Sequence, residues 1–135
     1  MKNIVLVVYI FSALHKGCQF FLSRTQVIEV LDHDFLSDAE GKAIPFGIFD
    51  PQRNEAFVVV GTSSETPEFA TDVVEQWWQL KGQVHYPLAK QLLILADCGG
   101  GNGYRSTVWK RDLQEKLCNR YGVTVTVCHY PPGAS

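Results

Sequence analysis

The sequence predicts an α/β fold, a mixed sheet with helices packed against it, and three observations carry that prediction. Residues 43–61 hold two β-rich runs on either side of a proline-led turn, the pattern of a hairpin. Residues 66–82 and 104–121 each carry apolar residues at helical spacing. The runs at 92–96 and 123–130 are strand-like and alternate with those helices, so two strand–helix units extend the hairpin. A chain of 135 residues with 46% hydrophobic and 19% charged content suits one globular domain.

The first residues, "MKNIVLVVYIFSALHKGCQFFLS", contain an apolar run from Ile4 to Phe11. It is too short to span a bilayer as a helix. Lys2 ahead of it suits a signal-peptide core, but no A-x-A cleavage site follows, and Phe20, Phe21 and Leu22 resume the hydrophobicity. Val, Ile and Tyr in the run are strand composition. A buried strand is the leading reading, and a signal or anchor the alternative.

A polar patch follows, "EVLDHDFLSDAEGK". "AIPFGIFD", Ala43 to Asp50, then reads as a strand, "PQRN" as a turn that Pro51 starts, and "EAFVVVG", Glu55 to Gly61, as the returning strand. Thr66 caps the first helix, Pro67 suits its first position, and Glu68 complements its positive end. Phe69, Val73, Trp77 and Leu80 make one apolar face, and Gly82 is placed to end the helix. Trp78 points differently from Trp77 and is assigned to packing ahead of contact with a partner or DNA. Leu92 to Ala96 shows no alternation, as in a strand covered on both faces. From Tyr104 to Tyr121 a second helix sets Trp109, Leu113 and Leu117 four apart, and Gly122 ends it. "VTVTVCHY", Val123 to Tyr130, alternates as a β-branched strand.

The net charge of −2 gives no strong field toward nucleic acid or anionic membrane. Cys18, Cys98, Cys118 and Cys128 form neither C-x-x-C nor a zinc spacing with histidine. They read as reduced, small core residues.

The chemistry concentrates in "LLILADCGGGNGY", Leu92 to Tyr104. An apolar strand ends in a lone acid, Asp97, beside a glycine-rich loop. The loop fails the phosphate-binding fingerprints: Tyr104 stands where G-x-G-x-x-G needs glycine, and no G-K-[ST] is present. A bare phosphate would also be repelled by Asp97. With a hard cation between them the carboxylate makes sense, since Mg2+ takes oxygen ligands from one or two carboxylates and from substrate phosphate. The competing reading has Asp97 tying down the turn. Gly99 and Gly100 clear room for a nucleic-acid backbone. Arg105, Lys110 and Arg111 suit phosphates, with a solvated helix face as the even alternative. Cys98 as nucleophile is weak, because no spacing ties it to His129. His129 reads as an ordinary edge histidine.

Taken in order, "HDFLSDAEGKAIPFGIFD", "NEAFVVVGTS", "TPEFA", "WWQLKG", "LLILADCGGGNGYR", "VWK", "LQEKL" and "GVTVTVCHYPPGAS" resemble the catalytic domain of the Rhodopirellula-type DDE transposases, the ISAzo group. The resemblance covers Asp32 to Ser135, and no such match is seen in Met1 to Ile28. It implies a ribonuclease-H-like fold, incomplete here at both ends. In that arrangement the first strand is central, antiparallel to the second and parallel to the fourth. It also implies an Asp–Asp–Glu triad holding two Mg2+ ions roughly 3.5–4 Å apart for in-line attack on phosphodiesters. Asp97 falls on the second acid of that triad and so would be both catalytic and metal-binding. Gly99, Gly100, Asn102 and Arg105 are the accompanying nucleic-acid candidates.

The family's first acid lies upstream of the "HDF" block, and Ile4 to Phe11 contains no acid. Asp32 and Asp34 belong to that block and do not match the first acid. The family's Glu comes after "PPG-x-S", where this sequence stops. The expectation is a DNA transposase catalytic-domain fragment, cytoplasmic, inactive alone and doubtful in Mg2+ binding. Residues 31–135 would form the partial catalytic domain. Residues 1–30 would be a replacement first strand, a signal-like segment or frameshifted sequence. The alternative is a non-enzymatic α/β interaction module that pairs with full-length transposase through a sheet edge. A membrane partner is not expected.

Overall fold

The computed structural model describes residues 5–12, 21–23, 26–27, 44–62 and 64–131. The polar patch with Asp32, His33 and Asp34, together with Cys18 and residues 132–135, lies outside them. Five strands form one sheet: β1 (Val5–Ser12), β4 (Ile44–Asp50), β5 (Glu55–Gly61), β6 (Gln91–Ala96) and β7 (Thr124–His129), in the spatial order β5-β4-β1-β6-β7. A separate short ribbon pairs β2 (Phe21–Ser23) with β3 (Gln26–Val27).

β1 sits at the centre of the sheet. It runs antiparallel to β4, with Tyr9 opposite Phe49 and Ile10 opposite Ile48, and parallel to β6, with Leu6 opposite Leu92 and Ile10 opposite Ala96. Counted within this sheet alone, the strand order is the ribonuclease-H-like one: its first strand (β1) is central, its second (β4) antiparallel to it and its fourth (β6) parallel. The apolar β-branched run therefore pairs on both sides, where its backbone groups are satisfied and its side chains alternate between faces.

One face is the core. Leu6, Val8, Ile10, Phe46, Ile48, Leu92, Ile94 and Ala96 project there and are buried against the helices. Each large side chain among them contributes about 1.5–3 kcal/mol of burial. The other face, with Val7, Tyr9, Phe49, Leu93 and Leu95, is only half-buried. The non-alternating composition of Leu92 to Ala96 thus does not mean equal cover on both sides.

The hairpin β4–β5 turns at residues 51–54, with Asn54 in the left-handed region at φ 52°. Asp50, only 4% exposed, fastens the turn: its Oδ1 accepts from the amides of Gln52 (3.0 Å) and Arg53 (3.4 Å). Its Oδ2 accepts from the Tyr86 hydroxyl at 2.7 Å. Burial, together with that bond to Asp50, pushes the Tyr86 phenol up to about 12.

Helix α1 (Pro67–Trp77) starts as its sequence predicts, Thr66 Oγ1 accepting from the Phe69 amide at 3.2 Å with Pro67 in the first turn. Gly82 does not end it. The helix widens into a π-helical segment, Trp78–Gly82, and continues as α2 (Gln83–His85). Gly82 is needed for contact: a Cβ there would stand 2.5 Å from Cε3 of Trp78. The wider turn also rotates the apolar face. Trp77 and Trp78 are both buried, whereas Leu80, expected on the core face, is 61% exposed.

Helix α3 (Thr107–Leu113) begins later than Tyr104, at Ser106, whose Oγ accepts from the Trp109 amide at 3.1 Å. It widens into a second π segment, Gln114–Asn119, and Gly122 at φ 65° releases the chain into β7. Trp109 and Leu117 are buried as their spacing predicts.

A polar clamp joins α1 to α3. Asp112, 4% exposed, is bonded by Arg111 (2.7 and 3.0 Å) and faces Lys116 at 3.2 Å. Lys116 also reaches Thr71 Oγ1 at 3.0 Å and Asp72 at 2.6 Å. A second clamp sets Arg120 and Tyr121 on Glu75. Desolvation alone would raise the Asp112 pKa, but hydrogen bonds from Arg111 and Lys116 outweigh it and hold the carboxyl below its ordinary 3.8. A depressed carboxyl stabilises the fold above its unfolded pKa, and that contribution is lost as pH falls through the folded value. Asp112→Asn is therefore expected to flatten the acid limb of a stability–pH curve below 3.8 and to lower stability at neutral pH. Chemical denaturation across pH ~2–7 checks it, and an acid limb as steep as wild type would contradict it.

Candidate functional site

The three mutually parallel strands β1, β6 and β7 end on one edge of the sheet, with Ile10, Ala96 and His129 level with each other. β4 lies on one side of β1, and β6 lies on the other. In open α/β sheets ligands gather at such a switch point, beyond the carboxyl ends of the strands. Asp97 is the first residue past β6 at that point.

Asp97 is half-buried, and its Oδ1 accepts from the Gly99 amide at 3.2 Å and from Asn102 Nδ2 at 3.1 Å. The carboxylate does tie down the glycine turn, but through one oxygen. Oδ2 is without a donor among the described residues. The tie leaves the second oxygen available, so structural and ligand-binding roles coexist.

The loop is held from three sides. Gly100–Asn102 forms a 3-10 turn, Asn102 N donating to the Gly99 carbonyl at 3.1 Å. His129 Nε2 lies 2.6 Å from the Asn102 carbonyl. A carbonyl only accepts, so that ring nitrogen carries a proton. Cys98 Sγ donates to the Tyr130 carbonyl at 3.1 Å, and the Tyr130 amide donates to Ala96 O at 2.9 Å. Gly101 presses on the start of α1, where a Cβ would stand 2.5 Å from the Thr66 carbonyl oxygen. His129, read from the sequence as an ordinary edge histidine, is thus a fastening between β7 and the loop.

The remaining sequence candidates divide. Gly99 and Gly100 line the loop, half-buried and exposed. Arg105 is exposed, its guanidinium 5.3 Å from the centre of the Tyr104 ring. Lys110 is exposed, whereas Arg111 is engaged by Asp112. Asn102 is corrected as a direct nucleic-acid contact: it is fully buried, and its amide serves Asp97. The cysteines are corrected as core residues. Cys98, Cys118 and Cys128 are free thiols, the first two half-buried and the third exposed.

Sequence reasoning passed over Glu65. It comes after β5, whose Gly61 end pairs with Ile44 at the same edge of the sheet as Asp97. A Cβ on Gly100 would stand 2.9 Å from both Cδ and Oε2 of Glu65, so that carboxyl lies against the Asp97 loop. Glu65 Oε1 and Asn102 Oδ1 are buried oxygens without a hydrogen-bond partner among the described residues. An acid just ahead of a helix cap was the only trace in the sequence, and it gains meaning only once β5 and β6 are seen to end together.

A groove of about 480 Å3 lies beside this edge, between α3 and β7, lined by Tyr104, Trp109, Lys110, Val127 and His129 among others. Asp97 is not part of its wall.

A sheet in this order, with its first strand central and flanking helices on one face, is the arrangement of the ribonuclease-H-like class. The Rhodopirellula transposase DDE domain family matches residues 10–135, and the chain belongs to that family. The match begins within β1, upstream of the stretch where the resemblance is legible by eye. Among solved structures the chain is similar to one in the cryo-EM structure of the simian T-cell lymphotropic virus intasome in complex with the PP2A regulatory subunit B56 gamma, with a TM-score of 0.47 and 11% identity. The match covers 97% of this chain and 35% of that one, so this chain spans about a third of its length. No curated protein matches.

DDE transposases use divalent metal. Asp97 Oδ2 and the two unpartnered buried oxygens, Glu65 Oε1 and Asn102 Oδ1, are oxygen atoms of the kind such an ion takes as ligands. They do not make the family's three-acid set: among the described residues no three His, Cys, Asp or Glu side chains cluster as a metal site.

Proposed function

We propose that the chain is the core of a DNA transposase catalytic domain in which Asp97 supplies one carboxylate for Mg2+, and that residues 1–135 alone do not carry out strand transfer. The observation that carries this reading is the position of Asp97 at the switch point between β1 and β6. β1, "VLVVYIFS", has the place of the family's first strand and brings no acid to it. It is best read as a strand that completes the sheet without contributing a ligand.

A divalent ion held in part by Asp97 would supply charge stabilisation to the attacking and leaving oxygens of a phosphodiester. This chain's residues do the positioning. Gly99 and Asn102 aim the carboxylate, His129 holds the loop, and Gly99 leaves the approach clear for a DNA backbone, whereas the space beside Gly100 is held by Glu65. Arg105, exposed beside that approach, meets phosphate.

Purified residues 1–135 are expected to show no DNA nicking or strand transfer above background in Mg2+, while retaining salt-sensitive DNA association that Arg105→Ala weakens. Nicking that Asp97→Ala abolishes would overturn the inactivity. Absence of any DNA association would overturn the assigned substrate.

A second reading is favoured by β5. This strand ends the sheet beside β4, with no further neighbour among the described residues, and carries Val58 and Val60 44% and 58% exposed on its face; the backbone of such an edge can pair with another strand, such as one of a full-length transposase. Co-purification lost on Val60→Lys would support it. Among the described residues no helix is long and apolar enough to cross a membrane. The cytoplasm, where bacterial DNA lies, is the proposed location.

A further inference from the structure

Glu65 belongs to no part of the family's three-acid pattern as the sequence presents it, yet it shares a wall with Asp97. β5 and β6 deliver their C-terminal ends to one edge of the sheet. The Gly99–Asn102 turn lies between the segments that leave those two strands. Asp97 holds that turn from one side through Gly99 N and Asn102 Nδ2. The carboxyl of Glu65 touches it at Gly100, where any side chain would collide with it at 2.9 Å.

Buried oxygen acceptors without donors are costly and rare, and each calls for an unseen partner. Two of them flank this turn, Glu65 Oε1 and Asn102 Oδ1. Asn102 is fully buried, and the orientation of its amide is set by its neighbour: the Asp97 carboxylate only accepts, so Nδ2 faces it. Oδ1, on the same amide carbon, is therefore turned from the Asp97 oxygen that Nδ2 meets and has no donor among the described residues. A carboxylate, a second carboxyl and an unpaired carbonyl oxygen around one turn are the ligand types a hard cation takes, and no donor among the described residues meets Glu65 Oε1 or Asn102 Oδ1.

We infer that Glu65 and Asn102 Oδ1 join Asp97 as oxygen ligands of a single divalent cation at the glycine turn. This rests on the transposase reading and deepens it: this chain carries a one-ion site of its own, built from a carboxylate outside the triad. Glycine at position 100 is then required because a side chain would push Glu65 away. The remaining coordination positions are left to water and to substrate phosphate oxygens.

The test uses the whole chain and the metal alone, without DNA. Mn2+ is titrated by calorimetry, and its paramagnetic broadening of backbone amide signals is followed by NMR. Wild type is expected to bind one Mn2+ and to lose the amide signals of Glu65, Gly99, Gly100 and Asn102 first. Asp97→Asn and Glu65→Gln should each weaken binding by roughly 10–100-fold, the range over which partner groups of metal sites act. Glu65→Asp, which keeps a carboxylate, should recover part of it. Thermal melts of each variant confirm that the fold persists. Binding by Glu65→Gln equal to wild type, broadening that spares residue 65, or no Mn2+ binding by wild type would each overturn the inference. Binding that depends on Asp97 but not on Glu65 would do so while leaving the proposed function intact. Binding that needs both, in a chain that never associates with DNA, would do the reverse.

Discussion

Trp109→Ala is expected to lower the unfolding free energy by about 3–5 kcal/mol, the usual cost of emptying a large aromatic site in a core. Trp109 is the largest of the fully buried side chains, at 1% exposure, and belongs to the cluster that includes Leu92, Ile94 and Leu117. Its amide is also the one Ser106 caps, so α3 and the loop before it are anchored at this residue. A domain of this size has roughly 5–15 kcal/mol in hand, so the variant should be marginal. The indole Nε1 is buried without a partner among the described residues. Trp109→Phe removes that unpaired donor while keeping most of the ring, and should cost clearly less than the alanine variant. Urea denaturation followed by circular dichroism measures both. A loss below about 1 kcal/mol for the alanine variant would show that the site collapses or that the helix is not seated as described.

Gly101→Ala is expected to cost about 1–3 kcal/mol, as overpacking does, and to disturb the site as well. The added Cβ would stand 2.5 Å from the Thr66 carbonyl oxygen and 3.1 Å from the Ala70 Cβ. The first of these is backbone at the cap of α1 and cannot swing aside as a long side chain can. The turn must lift off the helix, and Asn102, the next residue, carries the amide that holds Asp97. The variant should therefore lose amide-exchange protection at Gly99 and Asn102 together with its stability. Gly103→Ala is the control, since its nearest neighbour would be the Gly100 carbonyl at 3.9 Å. Equal effects at 101 and 103 would remove the packing explanation.

Much of this was legible in the sequence because it depends on local chemistry. The hairpin, the Thr66–Pro67 helix start, the stop at Gly122 and the buried Trp109 stripe all arise from residues within a few positions of each other. Asp97 stood out as a lone acid after an apolar run, beside glycines, where tying down the turn and holding a cation were both open readings. Gly82 and Leu80 were misread for a physical reason. A π-helical segment changes the period that the spacing argument assumes, and within it Trp78 lies over Gly82, a packing invisible to a periodicity count. Asn102 was placed among the nucleic-acid candidates together with the rest of the glycine loop beside Asp97. Its burial depends on α1 passing beneath the turn.

The sequence by itself determined the element types, the position of the lone acid and the family resemblance, because each is written in short-range pattern. Only the tertiary structure decided that β1 lies between β4 and β6, that His129 and Asn102 hold the Asp97 loop, and that Glu65 meets that loop from β5. Those facts depend on which strands end at the same edge of the sheet. Strand pairing joins residues dozens of positions apart through backbone groups that every residue possesses, so no local pattern records it.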